Sequence, residues 1–139
     1  YGVNYHRPGK IGTNINVSMH QDAEFIPGRR SSHWIPILFR HDVANEVLIS
    51  VLSHKLDEDI AADARLRIFS EQGEIHSETM SIKNQSSKTL HMESLLAGIG
   101  YEASEGEVLW CTFESTCPYM DVYYLNLSDL GHVGGDHSF

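Results

Sequence analysis

Ala64-Arg-Leu-Arg-Ile-Phe69, Ser70-Glu-Gln-Gly73 and Glu74-Ile-His-Ser-Glu-Thr-Met-Ser-Ile82 decide the fold. Leu66 and Ile68 alternate with Arg65 and Arg67, the period-2 signature of a half-buried strand. Ser70–Gly73 reads as a turn, with Gly73 free to take the positive φ of a tight reversal. Beyond it, His76, Glu78, Met80 and Ile82 share one face, and Ile75, Ser77, Thr79 and Ser81 the other. Asn84-Gln-Ser-Ser-Lys88 is a second polar turn, and Thr89-Leu-His-Met92 starts another strand. The stretch is a β-meander, and its flanks read as strands of the same body.

Working outward, Val47, Ile49 and Val51 alternate with Leu48 and Leu52, as in a strand at a sheet centre. Upstream, His33-Trp-Ile-Pro-Ile-Leu-Phe-Arg40 opens the body. Pro36 has no backbone donor, which makes this an edge strand or one that starts after the proline. Leu56–Asp63 reads as an acidic loop with room for a short helix. Downstream, Glu93–Gly100 is a crossover or a helical turn closed by Gly98. In Glu107–Phe113, Leu109, Cys111 and Phe113 oppose Val108, Trp110 and Thr112, and Asp121–Leu127 runs back as a last strand. Short strands between turn signals, with almost no helix, predict an all-β, antiparallel β-sandwich of about seven strands, immunoglobulin-like or jelly-roll. Residues 1–32 are expected to form an extended arm, 33–127 the sandwich and 128–139 a Gly-rich tail. Ile49, Val51, Leu66, Ile68, Leu109 and Trp110 are the expected core.

The order of these elements, from the strand ending near His41 to the Val108-Leu-Trp and Tyr123-Tyr-Leu hairpin, resembles the sensory rhodopsin transducers and related small bacterial β-sandwich proteins. The resemblance covers about residues 33–127, and the acidic insert at 57–63 and the arm depart from it. It implies an oligomeric, non-enzymatic binding module and assigns no functional residues.

The 139 residues fit one domain, and the net charge of −9 argues against a nucleic-acid surface, which needs a basic stripe. Residues 1–40 hold five basic and two acidic residues, a balance of +3, against five and 17, or −12, in the rest. A basic arm on an acidic body suggests self-association through the arm, or an arm folded onto its own domain. No apolar run is long enough for membrane insertion. No signal peptide is visible, although a chain starting at Tyr1 leaves room for a removed leader, and a cytoplasmic setting is favoured over a secreted one. Cys111 and Cys117 are too few for a disulfide framework and allow at most one local bridge.

Nine histidines are the oddest feature of the composition. His20-Gln-Asp22, His76-Ser-Glu78 and His91-Met-Glu93 each set an imidazole and a carboxylate two residues apart, on one face of a strand. His76, Glu78 and His91 are the candidate metal ligands, for one divalent transition metal such as iron or zinc in an oxygenase or hydrolase. The competing reading is surface histidines beside surface acids, or an interior His76, since Met80 and Ile82 continue its face. His132, Asp136 and His137 form a second group, in a tail expected to be a mobile end. No nucleophile motif or phosphate-cradling loop is present. Among the aromatics, Trp34, Tyr119 and Tyr123 are candidates for ligand binding, Tyr119 foremost because it sits at a turn, while Trp110 is expected inside. The leading expectation is a non-catalytic binding or assembly module with a protein or carbohydrate partner and no cofactor.

Overall fold

The computed structural model describes residues 2–16, 30–53 and 59–138. Its strands are β1 (Gly2–Tyr5), β2 (Thr13–Asn16), β3 (Ser31–Leu38), β4 (Val43–Val51) and β5 (Ala61–Ser70), then β6 (Gly73–Lys83) and β7 (Ser86–His91). One helix, α1 (Met92–Gly98), precedes β8 (Val108–Ser115), β9 (Met120–Ser128) and β10 (Val133–His137). The alternation of the central stretch is realised on β5, where Ala62, Ala64, Leu66 and Ile68 all point inward and are fully buried. Gly73 closes the turn to β6 at φ 121°, a conformation that glycine alone adopts without strain.

Two antiparallel four-stranded sheets, ordered β3-β8-β5-β6 and β10-β9-β4-β7, pack face to face as an all-β sandwich. Their inner faces supply one core, with Ile35, Ile37, Leu66, Ile68, Leu109 and Phe113 from the first sheet against Val47, Ile49, Val51, Met120 and Val122 from the second. Each of these side chains contributes about 1.5–3 kcal/mol by leaving water, so a core of this size is what opposes chain entropy. The α1 helix adds Met92 and Leu96, one turn apart, to the same core. Asn45 fixes that helix to β4, its backbone and side-chain nitrogens each donating to Glu93 Oε1 at 2.9 Å.

Four expectations change. Ala61–Asp63 belongs to β5 rather than to an acidic loop, because Ala62 fills an inward position opposite Ile82. The Gly-rich tail pairs with β9 as β10; its order comes from backbone hydrogen bonds, and Val133 supplies its apolar anchor. In the arm, β1 and β2 form a hairpin that lies on the outer face of the β10-β9-β4-β7 sheet. Contact there is apolar rather than charged: Ile15 is fully buried against Tyr123, Leu125 and Val133, and Val133 N donates to Ile11 O. Finally, Trp110 is not core. It projects from the outer face of β8, 45% exposed, while Leu109 and Cys111 take the inner positions. No helix among the described residues is long and apolar enough to cross a membrane.

Candidate functional site

Because neighbours on a strand alternate faces, the residues opposite the core on β3, β8, β5 and β6 form rows across the outer surface. One row runs Trp34, Thr112, Arg67, Ser77, and the next is Pro36, Trp110, Phe69. Leu38 and Val108 continue the surface at one end, and Ser32, Glu114, Arg65 and Thr79 at the other. Trp34 is 43% exposed, close to Trp110, and the two ring centroids lie 5.5 Å apart with planes inclined at 51°. Pro36 in β3 removes one donor without disturbing the fold, since β3 is an edge strand.

The polar groups between the rings are unevenly satisfied. Arg67 lies 4.8 Å from the centre of the Phe69 ring, and its Nε and Nη2 both donate to Glu74 Oε2, at 2.8 and 2.6 Å. Arg30 pairs with Glu114 at 3.9 Å. Arg65 differs: its Nε donates to Ser77 Oγ at 3.4 Å, and it forms no ion pair among the described residues. Thr112 Oγ1, at the centre of the Trp34 row, is buried with no hydrogen-bond partner among the described residues. The surface therefore combines exposed indole faces with a guanidinium that has unused donors, above a buried hydroxyl.

Beyond Val108 the character of the surface reverses. Glu71, Glu102, Glu105 and Glu107 line a cavity of about 600 Å³. Tyr101 donates its hydroxyl to Glu107 Oε1, and that carboxylate holds the phenol above its ordinary pKa. Smaller clefts of about 350 and 380 Å³ lie at the α1 end, where Phe39 and Glu93 line both. Arg40 and His41 line the first of these and sit beside carboxylates, Arg40 Nε 3.0 Å from Asp42 and His41 Nε2 3.5 Å from Glu105.

The sequence-predicted residues disperse. His76 and Glu78 do share a face, with Nε2 and Oε2 3.8 Å apart, but it is the inward side of edge strand β6, opposite Ile68 and Leu66. His91 lies on the other sheet, 3.2 Å from Glu46. The turn at Asn84 and Gln85 carries the chain between sheets instead of folding it back on one, so the His76, Glu78 and His91 set does not converge. No group of three or more metal-ligating side chains occurs among the described residues. His20 and Asp22 lie outside those residues. In the tail, His132 Nδ1 accepts from Ile11 N at 3.2 Å, while His137 stands 3.9 Å from Asp136.

Tyr119 and Tyr123 are 4% and 6% exposed. Tyr119 turns into the sandwich core and Tyr123 lies under the hairpin, so neither can present a ring to a ligand. Trp34 alone of the three keeps that ability. Trp110, Arg65 and Thr112 were not among the expected site residues. The signal for Trp110 was its alternation with Leu109 and Cys111: the tryptophan had to leave the core if those two entered it. Both cysteines are free and buried, and burial pushes the Cys111 thiol up to about 12. No family model, curated protein or solved structure matches the chain.

Proposed function

We propose that the chain is a non-catalytic binding module that holds a glycan on the outer face of the β3-β8-β5-β6 sheet. The exposed Trp34–Trp110 pair carries this reading. The sandwich core is filled without either ring, and exposed indole surface contributes no burial to stability. Flat aromatic faces suit the apolar C–H face of a pyranose ring, and hydroxyl and guanidinium groups beside them suit its equatorial hydroxyls. Arg67 and Arg65 stand in that position, each two strands from Trp34.

Affinity electrophoresis through gels containing soluble polysaccharides tests the proposal. The protein should be retarded by at least one polymer, and Trp34→Ala and Trp110→Ala should each relieve the retardation while leaving far-ultraviolet dichroism unchanged. Free migration in every polymer would count against a glycan and favour a protein partner on the same face. Self-association through the arm belongs to the same reading: hairpin exchange would seat Ile15 of one copy on Tyr123, Leu125 and Val133 of another. Sedimentation of the full chain against a chain starting at Ser32 tests it, and identical monomeric behaviour would overturn it.

A further inference from the structure

Resting on the reading of this face as a glycan site, we infer that the ligand is an acidic glycan chain, a polyuronate, with sugar rings on Trp34 and Trp110 and a carboxylate on Arg65. Three observations carry it. Among the described residues, Arg65 is the arginine of this face that no carboxylate pairs with, since Arg67 is held by Glu74 and Arg30 by Glu114. A guanidinium presents a planar fork of donors that matches a carboxylate, and such charge-assisted pairs are stronger than neutral hydrogen bonds. Second, the face is polar along its length: Arg65 stands at one end, and the carboxylates of Glu102, Glu105 and Glu107 stand beyond Val108 at the other. A polyanion is repelled from the carboxylate end, which limits its footprint to the tryptophans and the arginine.

The third observation is distance. In the register, Arg65 is two strands and one row from Trp34, and one strand and two rows from Trp110. With strands about 4.8 Å apart and residues of one face about 6.7 Å apart along a strand, these separations are roughly 12–14 Å. That exceeds one sugar ring, so the site takes a chain of several units rather than a monosaccharide. Glu114 and Asp63 flank Arg65 on β8 and β5; Glu114 pairs with Arg30 at 3.9 Å, and neither carboxylate forms an ion pair with Arg65.

Titration of tryptophan emission with oligomers of polygalacturonate, polymannuronate and hyaluronan, each against its methyl ester, tests the inference. At least one free acid should bind about tenfold more tightly than its ester at low salt, the discrimination a single charge-assisted pair supplies. The advantage should shrink at high salt, and the constituent monosaccharide should leave the emission unchanged. Arg65→Gln should bring the affinity for the free acid down to that for the ester, and because Arg65 is exposed and outside the core, far-ultraviolet dichroism should stay unchanged. Equal binding of acids and esters would overturn the acidic ligand and leave the glycan face standing. Binding of sulfated glycans alone would overturn the carboxylate. No response to any glycan, neutral ones included, would overturn both readings.

Discussion

Trp34 on β3 and Trp110 on β8 pack ring against ring across neighbouring strands, 5.5 Å between centroids, on the side of the sheet away from the core. One residue along the chain, Leu109 is fully buried. The two positions therefore respond oppositely to truncation. Leu109→Ala should destabilise the fold by about 2–5 kcal/mol, through lost burial and the cavity left behind. Trp110→Ala, despite removing far more atoms, should cost only about 1 kcal/mol, the loss of a partly exposed aromatic pair. Urea denaturation of the two variants measures the difference.

This contrast also shows what the sequence could disclose. Alternation in β8 separates Leu109, Cys111 and Phe113 from Val108, Trp110 and Thr112, and the structure keeps that division. It does not say which set faces in, because both are largely apolar. Residue size pointed to Trp110, whereas the shape of the core selected the smaller set. The same limit applies to His76, Glu78 and His91. Their shared faces were legible, but a short polar turn looks alike whether it returns to the same sheet or crosses to the other. The β10 strand was invisible for a different reason. Gly134 and Gly135 have no side chains to alternate, and the pairing is made by backbone groups of β9.

Gly135 itself is a sensitive position. Its φ is +150°, and a Cβ there would stand 2.2 Å from Tyr124 O. Gly135→Ala should cost about 1–3 kcal/mol in backbone strain and clash and loosen β10 from β9. Gly134→Ala, with its nearest neighbour at 3.9 Å, should be tolerated. Thermal unfolding of the pair checks this, and equal melting temperatures would contradict it.

The hairpin on the outer sheet depends on Ile15. Ile15→Asp would bury an unpaired carboxylate against Tyr123, Leu125 and Val133, so the hairpin should undock rather than accept it. Hydrogen exchange should then accelerate at Val133, whose amide donates to Ile11 O, and at Ile11, whose amide donates to His132 Nδ1, while amides of β5 and β8 keep their protection.

Cys111 gives the fold an alkaline limit. Burial raises its thiol to about 12, from an ordinary value near 9. The folded state thus holds its proton where the unfolded chain has released it. Stability from this group is complete below pH 9 and declines between pH 9 and 12, by a total on the order of 4 kcal/mol. Cys111→Ala should flatten that decline in urea midpoints measured across the range. In the native protein, Cys111 should resist alkylation at pH 8, where its reactive thiolate is scarce.

The chain's two tryptophans are both on the proposed binding face, so indole signals report on it alone. The most direct measurement is the pair of indole N–H resonances in a proton–nitrogen correlation spectrum, followed as a glycan that retards the protein is added. Both Trp34 and Trp110 should shift saturably and with one dissociation constant, and Trp110→Ala should abolish the shift at Trp34. Retardation by a glycan with both indole resonances unmoved would place binding elsewhere and contradict the account.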